Sequence, residues 1–409
     1  MNWGDPHTFQ RFWWHVTGRQ YQVFISFSVQ QIIEQASQFA HLLAHEFGPF
    51  WFPIGLTFAA VGVFEMFHHD RTTFGFVVLV IVCDLGYALN YEIAEDKGAY
   101  YLPAFIAISV AAGFGLRLML LLLAKQWPQI QIRVPVAIAL TFIVPVTAFA
   151  GNFPYTNRHN FLLTVDYINN IESTIAPGGM LLTSDWQVYS PILYLREVEQ
   201  LRRDVVAIDV SLLRRSWYFD YLKTAYPELI ADNRVAVETF LTDLKHWEND
   251  PDLFSRSNEL TTQISNHFLE MLLGFVRTDM LRAPVYVTWE IGLGVTEDPQ
   301  FSQTLSRNYQ LVPQGLVFKV STDRSFQTPA DPKYELRGLA DNSFRFDAND
   351  VVMLKVFPVY ANMFVNRGRY LTAYGHYEEA AHSYKRALEL APDNKLARDG
   401  LNEVMRLKE

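Results

Sequence analysis

The stretch LPAFIAISVAAGFGLRLMLLLLA, residues 102–124, decides what kind of protein this is: it is almost wholly apolar and carries a single charge, Arg117. A helix of about 20 mostly apolar residues crosses the hydrocarbon core of a bilayer. Only helices or closed barrels pair all their backbone groups there. Three further apolar stretches flank it, Pro49–Phe67, Phe74–Tyr91 and Val134–Ala150. The spacing predicts a multi-span α-helical membrane protein with four transmembrane helices in residues 49–150, after an aromatic segment at 1–48. Residues 151–350 read as a soluble α/β domain, and 351–409 as a C-terminal helical hairpin.

The net charge of −9 and the pI near 5.7 argue against nucleic acid as a partner, because no basic stripe compensates. The aromatic content of 15% fits belts of Trp and Tyr at the membrane interface, and equally a groove for sugars or lipids. Cys83 is the sole cysteine and lies in an apolar stretch, so no intramolecular disulfide braces the soluble part. The opening residues lack the basic and apolar regions of a signal peptide.

Loop charges set an expected orientation. His68, His69 and Arg71 follow the first stretch, and Lys125 and Arg133 follow the third, whereas the loop at residues 92–97 is acidic. Basic loops favour the cytoplasm, so residues 1–48 and those after Ala150 are expected to face outward. In a bacterium this makes an inner-membrane protein with a periplasmic domain. Asp84 stands out within the spans, since a carboxylate at bilayer depth faces a bundle interior or a wet cavity. It reads equally as a hydrogen-bonded packing residue and as a functional one. Arg117 lies about 12 Å away in depth at 1.5 Å per residue; the expectation is that it snorkels to the cytoplasmic interface.

Beyond Tyr155 the pattern becomes α/β. Helices are expected at Phe161–Ser173, Tyr189–Leu201 and Leu260–Arg282. Strands are expected at Met180–Ser184, Val205–Val210, Val285–Trp289 and Gly315–Ser321. The first two strands with their helix make a βαβ unit and predict a small, mostly parallel sheet. Ligand chemistry in such sheets gathers at the carboxyl ends of strands, here Thr183-Ser184-Asp185-Trp186, Asp209, Ser211 and Trp289-Glu290. Asp185 and Asp209 read first as helix or turn caps. Gly178-Gly179 precedes the first strand, which disfavours a nucleotide-binding loop.

Residues 361–394 carry the signature positions of a tetratricopeptide repeat: Phe364, Gly368, Gly375, Tyr377, Ala380, Tyr384, Ala387 and Pro392. A lone repeat cannot bury its own apolar face, so it is expected to dock on the α/β domain or a partner. It reads as a structural brace before a peptide-binding groove.

At the other end, the candidate binding residues are Asp5, Arg11, His15, Arg19 and Tyr21. Thr8 to Val16 predicts an amphipathic helix burying Phe9, Phe12, Trp13 and Val16 at the interface. The segment reads equally as a grip on phosphate or sugar hydroxyls and as a plain membrane anchor. No His, Cys and carboxylate spacing suits a metal: His41 and His45 lack a third ligand nearby.

Three segments, NWGDPHTFQRFWWHVTGRQY, YEIAEDKGAYYLPAF and LLTSDWQVYSPILYLREVEQLRRDVVAIDVSLL, resemble a bacterial membrane family formerly of unknown function. Its vertebrate relative is a protein O-mannosyltransferase of the endoplasmic reticulum, and its architecture is similar to the GT-C glycosyltransferases. The resemblance implies a lipid bilayer and a polyprenyl-phosphate sugar as partners, with a protein or glycan acceptor. It leaves any divalent metal open. In such enzymes the catalytic carboxylate follows the first transmembrane helix, whereas here the matching segments belong after several earlier spans. The expectation is therefore a carboxyl-terminal portion in which catalytic residues are unassigned and Asp5 is at most a contact for donor or acceptor. The alternative is a non-catalytic, membrane-anchored scaffold that binds a protein through its repeat.

Overall fold

The structure is a computed structural model, and it describes residues 4, 6–47, 54–92, 97–126, 130–296, 299–338 and 350–408. The chain divides into two compact units, one of residues 8–159 and one built mainly of residues 160–338 and 350–408.

The first unit is all helical. Helix α1 (Phe9–Val16) starts at Thr8, whose hydroxyl accepts from the Arg11 N–H at 3.2 Å. Its apolar residues Phe9, Phe12, Trp13 and Val16 are all exposed on the bare chain. A 3-10 turn over Arg19–Phe24 leads into α2 (Val29–Glu46). Then come α3 (Ile54–His69), α4 (Arg71–Ala88), α5 (Leu102–Gln126) and α6 (Ile130–Thr156). Three segments are long and apolar enough to cross a membrane: Arg71–Ala88, Lys97–Gln126 and Val134–Pro154. The first apolar stretch differs. Its helix is 16 residues as described, below the length of a span, and residues 48–53 at its start lie outside the described residues.

Helices α3 and α5 cross with their backbones touching. A Cβ added to Gly62 would overlap the Ala111 carbonyl oxygen, and one added to Gly115 would overlap that of Phe58. Phe58 and Gly62 meet residues 111–115 while Glu65 meets Arg117, so the two helices run parallel. Ala59, Ala107 and Ala111 are buried along the same seam. In lipid the apolar effect does not drive helices together, so close packing through small residues supplies the association.

The second unit begins with α7 (Leu163–Thr174). It is followed by β1 (Met180–Thr183), α8 (Trp186–Glu197) and β2 (Val206–Asp209). Five helices come next: α9 (Tyr218–Ala225), α10 (Pro227–Asp232), α11 (Arg234–Asn249), α12 (Pro251–Arg256) and α13 (Asn258–Asp279). They return the chain to β3 (Val285–Thr288), α14 (Trp289–Leu293), α15 (Pro299–Asn308), β4 (Gln310–Gln314) and β5 (Val317–Ser321). The strand order is β2-β1-β3-β5-β4. β1 pairs in parallel with β2 and β3, as expected of strands buried on both faces.

The sheet is mixed, not mostly parallel. β5 runs antiparallel to both β3 and β4. β4 escapes detection in the sequence because Pro313 interrupts it, and proline is tolerated in an edge strand. A two-residue turn with Gly315 at φ 60° closes this hairpin.

The chain ends in α16 (Val351–Ala373), α17 (Tyr377–Leu390) and α18 (Lys395–Lys408). The Tyr384 ring fills the space against Gly368 of α16 and Gly400 of α18, where a Cβ would collide with it. α16 is tied to α7 through Asn170, whose amide donates to the Tyr360 hydroxyl at 2.9 Å. Below it, the fully buried Asp166 carboxylate accepts from the Arg337 N–H and Nε, each at 2.8 Å, and from Nη2.

Overpacking a tight contact costs about 1–3 kcal/mol. Gly115→Val is therefore expected to lower the thermal midpoint of the detergent-solubilised chain by several degrees. Gly113→Val, where an added Cβ meets nothing within 4 Å, is expected to leave it unchanged. Equal midpoints for the two variants would show that the α3–α5 crossing contributes little.

Candidate functional site

The arrangement richest in chemistry lies at the carboxyl ends of β1 and β3. Their register pairs Met180 with Val285 and Leu182 with Val287. Carried forward, it sets Thr183 beside Thr288 and Asp185 beside Glu290, and adjacent strands are about 4.8 Å apart. The Thr288 hydroxyl donates to the Thr183 hydroxyl at 3.2 Å, and the Asp185 N–H donates to Thr183 Oγ1 at 3.0 Å. The same local sequence, Thr-x-acid, thus follows two neighbouring parallel strands. This is the switch point of an open sheet, because the chain leaves β1 toward β2 on one side and arrives at β3 on the other.

Asp185 is the N-cap of α8, with Oδ1 accepting from the Gln187 N–H at 2.8 Å. Asp209 likewise caps a turn by accepting from the Leu212 N–H at 3.0 Å. Glu290 differs: it is 8% exposed, and the polar groups that reach its carboxyl are the Asp185 carboxyl, the Thr288 side chain and its own backbone N–H. Burial first and the Asp185 charge second hold its carboxyl far above the usual range. Burial also raises Asp185. Two acids confined together in this way favour holding one proton between them. Tyr167 is 1% exposed, its hydroxyl has no partner, and burial followed by the Glu290 and Asp185 charges raises its pKa. A cavity of about 10 Å³, enough for one water, is lined by Ser184, Ser211, Arg214, Ile291 and Thr296 among others, and by neither acid.

The expected membrane-side residues lie in the other unit. Asp5 falls outside the described residues. Arg11 and His15 sit four apart on α1. The Arg19 guanidinium stacks over the Trp14 ring at 4.2 Å, and Tyr21 is 42% exposed. The chain after them is anchored by main-chain pairing: Ile25 bridges Tyr91, Ser26 N–H donates to Asn90 O at 2.8 Å, and Glu92 N–H to Phe24 O at 2.6 Å. Beside this lies an aromatic group of Tyr87, Tyr91 and Tyr100, with ring centroids 5.1–6.4 Å apart. Lys97 Nζ donates to the carbonyls of Ala88, at 2.5 Å, and Tyr91.

Asp84 sits one turn from the end of α4 and accepts the Ala104 N–H, in the first turn of α5, at 3.1 Å. Its place is that of a packing residue capping a neighbouring helix start. Arg117 is also not alone: Nη1 lies 3.8 Å from the carboxylate of Glu65, a buried side chain that also contacts His69 Nδ1 at 3.1 Å. Among the described residues no three His, Cys, Asp or Glu side chains converge as a metal-binding group.

No protein-family model, no curated protein and no solved structure matches the chain.

A buried acid whose folded pKa is raised stabilises the fold fully below its unfolded pKa and loses that contribution as pH rises through the raised value. The stability of the chain is therefore expected to fall from about pH 5 upward. Glu172, buried beside Arg202 and pushed up to about 7, acts in the same sense. Glu290→Gln is expected to flatten the decline and to raise the thermal midpoint at pH 8. A lower midpoint than wild type at that pH would contradict the assignment.

Proposed function

We propose that the chain is a glycosyltransferase-like membrane protein of the kind its sequence resembles, related to the endoplasmic-reticulum protein O-mannosyltransferase. In this reading residues 49–67 form a fourth span, the second unit lies in the periplasm of a bacterial cell, and Arg11, His15, Arg19 and Tyr21 receive a polyprenyl-phosphate-linked sugar at the outer face. The observation that supports it is Arg19 laid on Trp14, a few residues before a strand-like bridge from Ile25 to Tyr91, whose carbonyl accepts from Lys97 Nζ. A guanidinium stacked on an indole keeps its N–H fork in one plane, the geometry that suits a phosphate. Tyrosine rings offer flat faces and hydroxyls to a sugar.

The chemistry of this class is displacement at the anomeric carbon. An acceptor hydroxyl attacks, its proton passes to a carboxylate base, and polyprenyl phosphate leaves with the bonding electron pair. Arg19 and its neighbours would stabilise the charge growing on the departing phosphate. The base is not among the residues assigned here.

The competing proposal is a non-catalytic scaffold whose α16–α17 pair is a tetratricopeptide hairpin. It draws on Gly368 packed against Tyr384, with Ala380 and Ala387 buried, at four of the signature positions.

A polyprenyl-phosphate sugar titrated into the purified chain in nanodiscs separates the two. Arg19→Ala is expected to weaken binding about tenfold, equivalent to about 1.4 kcal/mol. Unchanged affinity in that variant removes the phosphate role, and no binding by the wild-type chain favours the scaffold.

A further inference from the structure

Helix α1 carries an apolar face that the described residues leave open. Phe9, Phe12, Trp13 and Val16 are 51–82% exposed. At about 100° per residue they fall within an arc of about 100°, the width of a helix stripe that is normally buried. The other side is half-buried at Arg11 and Trp14, and the Arg19 guanidinium lies on the Trp14 ring. Four large apolar side chains grouped on so short a helix mark a surface that meets something apolar. The helix does not span a membrane by itself. Its eight residues rise about 12 Å, far short of the hydrocarbon core.

The main chain fixes where this face is presented. Beyond Val16, Ile25 bridges Tyr91, the Glu92 N–H donates to Phe24 O, and the Ser26 N–H donates to Asn90 O. Residues 90–92 directly follow Arg71–Ala88 and precede Lys97–Gln126, two segments long and apolar enough to cross a bilayer. The bridge therefore marks the level at which both leave the hydrocarbon. The 3-10 turn over Arg19–Phe24, at about 2.0 Å per residue, sets α1 roughly 12 Å from it. Tyr87, Tyr91 and Tyr100 group at the same level, and tyrosine is enriched at membrane interfaces. Charge agrees: residues 6–33 hold Arg11 and Arg19 and no Asp or Glu, which suits phosphate-bearing headgroups. We infer that α1 lies flat in the headgroup–acyl boundary of the bilayer that α4 and α5 cross, with Phe9, Phe12, Trp13 and Val16 turned toward the acyl chains.

This placement neither requires the sugar-donor site nor follows from it, and the Arg19→Ala titration reads that site separately. Collision accessibility of single nitroxide labels, in the full chain in phosphatidylcholine–phosphatidylglycerol nanodiscs, tests the placement. Cys83, the sole cysteine, is first replaced by alanine so that only the introduced cysteine carries a label. Labels on Phe12→Cys and Val16→Cys are expected about 5–10 Å below the headgroup surface, met by dissolved oxygen more than by a water-soluble nickel chelate. Labels on Gln10→Cys and His15→Cys, on the opposite side, are expected to show the reverse preference. One preference shared by all four positions, whichever reagent it favours, overturns the inference. Shielding of positions 12 and 16 from both reagents also overturns it, because protein would then cover the face. If a label at position 12 or 16 disturbs the helix, Phe9→Cys reads the same face.

Discussion

The parallel pairing of β1 with β3 is the constraint from which the second unit follows. Parallel neighbours cannot be joined by a tight turn, so the chain must leave and return by long crossovers. The one after β1 is a single helix, α8. The one after β2 needs α9 to α13 because it must pass over β1 to reach the far side. All four residues of β1 and of β3 are buried, so both faces need cover, and the helices supply it. The same register fixes the functional prospects of the unit. Equal strand ends bring equal motifs side by side, and the fold sets near each other two acids that would otherwise stand apart.

In the apolar unit the equivalent constraint is the absence of side chains at Gly62 and Gly115. Where lipid surrounds the helices, there is no gain in hiding leucine from solvent that is itself hydrocarbon. Contact must then come from shape, and two glycines facing each other let carbonyl oxygens approach the opposite backbone. The polar residues nearby follow the rule that backbone and charge must be answered internally. Asp84 answers the start of α5, and Glu65 is placed to answer Arg117.

How legible this was depended on the range of the interaction. The apolar helices and the first βαβ unit are written in local composition, and Thr8, Asp70, Asp185 and Asp250 cap helices as their residue types suggest. The edge strand β4 was obscured by Pro313, whose penalty holds for central strands only. Asp84 lies one turn from the helix end because α4 stops at Ala88, earlier than its apolar stretch. Glu65 drew no attention, since its partner lies on a helix that only packing brings near. The pairing of Asp185 with Glu290 needs the strand order, which no local pattern contains, although the repeated Thr-x-acid after two apolar strands was a usable signal. The candidate membrane-side residues were found by type alone, and the structure adds the stacking of Arg19 and the bridge to Tyr91.

Asp166 and Arg337 are 171 residues apart. A ribosome adds about 5–20 residues per second, so the carboxylate waits roughly 10–30 s for its guanidinium. During that interval burying Asp166 is costly, because a carboxylate taken out of water without its partner loses several kcal/mol, about 3–5. Full burial of Asp166 is thus tied to a segment made long after α7 itself. The late arrival of residue 337 makes this carboxylate–guanidinium contact one of the later ones that the growing chain can form across the second unit.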